Sequence, residues 1–162
     1  MDRIDLPWLE PQASVSEAIG RIIEIKAATG AAAVVTKGED GPVILRLERL
    51  LAAGRDNPKT PLYQIQSFGR GTYLPGSMRS AALADDFGAM ENALDSAQAD
   101  FGVIPLFGGT VRVVTRHETI AAEFRTDLRV CRCTGPYGHV ILAGDLDEAG
   151  QCNYDEFPVI CA

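Results

Sequence analysis

Apolar residues recur at helical spacing in "SVSEAIGRIIEIKAATG", where Val15, Ala18, Ile22 and Ile25 form one face. The same face returns 72 residues later as Phe87, Met90, Leu94 and Ala97 in "FGAMENALDSAQADFG". Gly30 and Gly102 stand at that offset too, and each fits a helix C-terminus. A short apolar run follows each glycine, "AAAVV" at 31–35 and "VIPLF" at 103–107, and predicts a buried strand. Turn residues come next, "TKGEDG" in the first copy and the pair Gly108-Gly109 in the second, which suits a tight hairpin. The first turn reads two residues longer, so the offset should fall to 70 beyond it. At that spacing Val43, Arg46, Glu48 and Leu50 match Val113, Arg116, Glu118 and Ile120. Each second strand then enters a helical pattern, "LERLLAAG" or "RHETIAAEF". The chain therefore reads as α/β, with helix, strand, hairpin, strand and helix made twice.

This order resembles the tandem CBS domain family, whose β-α-β-β-α repeats pack in pairs as a Bateman module. The stretch "FGVIPLFGGTVRVVTRHETI" carries the likeness best, with Pro105 in an apolar strand, a glycine turn, and "VVTRHETI" entering a helix. In the family the second strand typically ends in Thr or Ser, followed three residues later by Asp; Thr115 and Glu118 stand in those places. The likeness divides the chain into a first repeat at 8–54, a connecting loop at 55–80, a second repeat at 81–127 and a tail at 128–162. It implies an adenine nucleotide in the cleft between repeats and a homodimer. Thr115 would contact phosphate or ribose and Glu118 would accept from the ribose hydroxyls, with Arg116, Ile104 and Pro105 beside them. Two departures bear on this. Glutamate is one methylene longer than aspartate, and Leu45 stands in the first repeat where the hydroxyl should be, so only the second repeat looks equipped. Thr115 and Glu118 also match a capping box, a role that can coexist with ligand contact. His117 starts the predicted helix without a nucleophile constellation near it and reads as a bystander, so the expected function is non-enzymatic.

Composition narrows the partners. The 162 residues, 46% of them hydrophobic, suit one globular domain with a small appendage. A net charge of −7 argues against binding along a nucleic-acid backbone. No apolar stretch approaches the roughly 20 residues of a membrane span. The N-terminal "MDRIDLPWLEP" lacks the apolar core of a secretion signal, so the expected location is the cytoplasm. The connecting stretch 54–80 breaks the acidic trend, with Arg55, Lys59, Arg70 and Arg79 against Asp56 and with Tyr63, Phe68 and Tyr73 interleaved. It reads either as a loop offering cations and rings to a ligand or as a surface connection whose aromatics pack on the repeats.

All four cysteines lie in the last 32 residues, together with His139. In a reducing compartment such clustering suggests zinc, whose tetrahedral shell suits thiolate and imidazole and whose binding would staple a small, loop-rich segment. The tail is similar to a zinc ribbon, with a β-hairpin between two ligand-bearing ends. Five candidates compete for four places: Cys131, Cys133, His139, Cys152 and Cys161. The preferred set holds Cys133, His139 and Cys152 with either Cys131 or Cys161. A ligand-sensing CBS-type protein is thus the leading expectation. The alternative is an interaction module that binds no nucleotide and docks a protein partner through the cleft or the tail.

Overall fold

The computed structural model describes residues 2–29, 31–66, 69–74, 86–106, 108–115, 129–133, 139–143 and 159–161. The fold is mixed α/β. Strand β1 (Asp2–Pro7) lies ahead of the expected first-repeat boundary at residue 8 and is followed by helix α1 (Val15–Thr29), strands β2 (Ala33–Lys37) and β3 (Pro42–Arg46), and helix α2 (Leu47–Asp56). The connecting segment is not bare loop. It contains a 3-10 turn at Leu62–Gln64 and strand β4 (Gly71–Tyr73). Helix α3 (Phe87–Ala97) and strands β5 (Phe101–Pro105) and β6 (Thr110–Thr115) follow. Three tail strands, β7 (Arg129–Cys133), β8 (His139–Ala143) and β9 (Val159–Cys161), form an antiparallel sheet in the order β7-β8-β9.

Four layers stack. Helices α1 and α2 cover one face of the β2–β3 hairpin through Val15, Ala18, Ile19, Ile22, Leu47 and Leu50, which meet Val34 and Leu45. The other face of that hairpin, with Ala33, Val35 and Ile44, packs on Phe101, Val103, Val111 and Val113 of a four-stranded sheet ordered β1-β6-β5-β4. The far face of this sheet meets α3, where Ile104 and Val114 contact Met90 and Leu74. Local signals start the helices. Ser14 Oγ accepts from the Glu17 N–H at 3.1 Å, and Asp86 Oδ1 accepts from the Ala89 N–H at 3.2 Å. Helix α3 ends on Gln98, which takes the left-handed conformation at φ 51°.

Strand β1 joins the sheet made by β4, β5 and β6 instead of the β2–β3 hairpin. β1 pairs antiparallel with β6, the last strand of the second repeat, over Asp2↔Thr115 to Pro7↔Thr110. Just past its end Trp8 makes a parallel bridge to Val35, and β1 also packs against α1 and β2. β4 likewise runs parallel to its own β5, with Tyr73 opposite Val103, and lies beside β3 of the first repeat. Trp8 and Tyr73 are thus structural equivalents, and their rings meet with centroids 6.3 Å apart. A cross-strand ion pair fastens β1 to β6. Arg112 Nε donates to Asp5 Oδ1 at 2.9 Å and Arg112 Nη2 to Oδ2 at 3.3 Å, both side chains being partly buried.

This register corrects the correspondence expected from sequence. The helices start 72 residues apart, at Val15 and Phe87, but α1 has 15 residues and α3 has 11. The strands therefore correspond at 68, with Val35 matching Val103, Thr36 matching Ile104 and Lys37 matching Pro105. The shift arises in the helix and not at the turn. Four residues, 38–41, separate the paired ends of β2 and β3, against five, 106–110, between β5 and β6. One consequence is specific: Ala33 pairs with Arg46 as Phe101 stands toward Thr115, so Thr115 corresponds to Arg46 and not to Leu45.

Candidate functional site

Of the residues expected at the second-repeat site, three are described. Thr115 closes β6 and is fully buried. Ile104 is buried against Leu74, Met90 and Val114, while Pro105 ends β5 on the surface. Arg116, His117 and Glu118 lie outside the described residues. In the first repeat Leu45 packs wholly inside the helix-covered core, and Arg46 ends the strand with its Nη1 3.5 Å from Glu48 Oε1. No hydroxyl stands at the first-repeat strand end, as expected, although the residue there is an arginine.

The open space lies at the other end of the first-repeat hairpin. A cavity of about 1030 Å³ is lined by Thr36 and Lys37 of β2, by Glu39, Asp40 and Gly41 of the turn, and by Val43 of β3. The connecting segment supplies the opposite wall with Leu62, Tyr63, Ile65, Gly69, Arg70 and Gly71. Of the cations and aromatics of this segment, Tyr63 and Arg70 line the cavity. Tyr73 turns instead to Trp8, and Phe68 and Arg79 lie outside the described residues. Arg55 and Lys59 are exposed and do not line the cavity.

Glycines shape this wall. Gly69 adopts φ +63°, where a side chain is strained, and Gly71 passes so close to the core that a Cβ would overlap the Phe101 ring and lie 2.8 Å from the Pro42 carbonyl oxygen. The Arg70 N–H donates to Asp100 Oδ2 at 2.8 Å and so fixes the strand entrance, while the Arg70 side chain remains exposed. Lys37, Arg70, Glu39 and Asp40 have no ion-pair partner among the described residues. Thr36 is 1% exposed, and its Oγ1 has no hydrogen-bond partner there either.

The equivalent end of the second-repeat hairpin is arranged differently. Arg21 of α1 donates from Nη2 to the Gly108 carbonyl, and the Trp8 N–H donates to the Gly109 carbonyl at 2.9 Å. Both turn glycines take positive φ, 74° and 72°. First-repeat groups thus lie across this turn, whereas the first-repeat turn faces the cavity. On the rim between repeats, Tyr73 titrates above the ordinary 10.0, chiefly because burial penalises the tyrosinate and secondly because Glu10 adds negative charge.

In the tail, β7 and β8 pair Cys133 with His139, and β8 and β9 pair His139 with Cys161. Cys131 is two residues along β7, opposite Ile141. Three of the five candidate ligands therefore form one row across the sheet, with His139 in the middle. Cys152 lies outside the described residues.

No protein-family model matches the chain, and no curated protein matches its sequence.

Proposed function

We propose that the chain is a non-enzymatic ligand sensor of the tandem CBS type, taking an adenine nucleotide between its repeats and acting as a homodimer. The observation that supports this best is the cavity under the first-repeat hairpin, whose far wall comes from the segment joining the two repeats. Its floor residues Thr36 and Lys37 are the equivalents of Ile104 and Pro105, two positions the resemblance assigns to the ligand. Its volume suits a small molecule of nucleotide size. A ligand there would join a turn of one repeat to the strand entrance of the other, and so would bias how the repeats sit.

Thermal unfolding of the purified protein with AMP, ADP, ATP and S-adenosylmethionine tests this reading. At about 100 times Kd a ligand adds about 2.7 kcal/mol of stability, which for a chain of this size raises Tm by roughly 5–10 °C. A flat response to all four at millimolar concentration removes the nucleotide. A nucleotide-independent interaction module is the second reading, favoured by the full burial of Thr115 and by Arg46 at the equivalent strand end.

The same proposal gives the tail one structural zinc. Cys133, His139 and Cys152 are its ligands, with either Cys131 or Cys161 as the fourth.

A further inference from the structure

Trp8 and Tyr73 meet where the two repeats join, with ring centroids 6.3 Å apart and ring planes tilted by 58°. A parallel stack would cover a full face of each ring. Rings at this tilt diverge, and part of both π faces is left to other partners. Trp8 rests on the central core, which holds its ring in place. Tyr73 belongs to none of the buried clusters among the described residues and stays 44% exposed. Its ring is therefore not spent on the core.

Negative charge stands beside this pair. Glu10 is exposed, has no ion-pair partner among the described residues, and lies close enough to Tyr73 to oppose the tyrosinate. The chain as a whole carries a charge of −7. Two π faces and a carboxylate attract a cation and repel an anion. Hydration then decides which cation. A primary ammonium holds its water strongly, and two half-open rings offer no acceptors to replace that water. An alkylated ammonium has no such demand, and its methyl groups gain by leaving water for the rings.

The surrounding main chain is already engaged. The Trp8 N–H donates to the Gly109 carbonyl, the Leu9 N–H to the Val35 carbonyl and the Leu74 N–H to the Val103 carbonyl. Strand β4 pairs with β5 on one side and lies beside β3 on the other. A peptide adding as a strand finds no open edge here, so the occupant that fits is a small molecule.

We propose that Trp8, Tyr73 and Glu10 form a site for the quaternary ammonium group of a small molecule, with the cation on the two ring faces and the Glu10 carboxylate as its counter-charge. The site is separate from the cavity under the first-repeat hairpin, which none of the three residues lines.

Trp8 is the sole tryptophan, so its emission reads the site directly. The test titrates the full chain at constant ionic strength with choline, its uncharged isostere in which carbon replaces nitrogen, ethanolamine and adenosine. Choline is expected to change the emission with a Kd of roughly millimolar size. The isostere and ethanolamine should bind at least about fivefold more weakly. Glu10→Gln, at an exposed side chain, should fold normally and weaken choline about threefold. Tyr73→Leu should weaken it about fivefold, while Tyr73→Phe, which keeps the ring, should stay within about twofold of the native protein. The site is overturned if choline leaves Trp8 emission unchanged, if the isostere or ethanolamine matches choline, or if either Glu10→Gln or Tyr73→Leu binds choline as the native protein does. Tighter binding of adenosine than of choline, lost in Tyr73→Leu, also overturns it and assigns the rings to a flat base.

Discussion

Tyr73 and Trp8 occupy equivalent places in the two repeats and meet ring to ring, which turns the sole tryptophan into a reporter of the joint. Tyr73 holds its proton more firmly when folded than when unfolded, because burial and then Glu10 oppose the tyrosinate. Its contribution to stability is therefore complete below the unfolded value of about 10 and fades as pH rises through the folded value. The effect is small, since Tyr73 is 44% exposed. Urea midpoints measured from pH 9 upward should fall in the native protein, and the part owed to this residue should vanish in Tyr73→Phe. Trp8 emission should drop over the same pH range as tyrosinate forms beside it. Trp8 emission that titrates identically in Tyr73→Phe would show that another group is responsible.

At the scale of elements, helical spacing in the sequence identified α1 and α3, and Val15, Ala18, Ile22, Met90 and Leu94 are indeed buried. Phe87, placed on the same face by that spacing, is exposed at the first residue of α3. The hairpins were legible as hairpins but not in register. β2 and β3 are packed on both faces, by helices on one side and a sheet on the other. Both-sided burial removes the alternation that would reveal a slip of one residue. That is why Leu45 looked like the partner of Thr115 when the register gives Arg46. The strand β1 does alternate, as Arg3, Ile4, Asp5 and Leu6, but its partner lies more than a hundred residues away, where no local pattern can point. The sequence left the segment of Tyr63 and Arg70 open between a ligand loop and a surface connection; that these two line a cavity with Thr36 is a property of three-dimensional packing. The equivalence of Thr36 and Ile104 has a mirror test. Ile104→Thr loses buried methyl volume and buries a hydroxyl among Leu74, Met90 and Val114, so it should cost about 2–4 kcal/mol in a urea titration. A loss below about 0.5 kcal/mol would show that a buried, unpaired hydroxyl costs little at this place in the repeat.

For the whole molecule, the tail sheet sits next to the helices of the first repeat, β8 beside α1 and β9 beside α2. Its proposed zinc and the proposed dimer are both read by mass measured under native conditions. One zinc per chain is expected in the native protein, with zinc lost from Cys133→Ser, His139→Asn and one of Cys131→Ser and Cys161→Ser. Zinc kept by both of the last two would break the proposed ligand set, and a metal-free mass after zinc supplementation would remove the metal. The placement of β1 carries the consequence furthest. It precedes its ladder partner, which ends at Thr115, by more than a hundred residues. Ile4 and Leu6 can meet Ala33, Val35 and Ile44 early, but Val111 and Val113, which complete their cover, are made only after the connecting segment and most of the second repeat. A nascent chain halted before residue 110 would carry a complete first hairpin and its two helices beside a strand with no ladder partner. The order of translation thus sets an interval in which the edge of β1 is sticky, and closing that interval falls to β6.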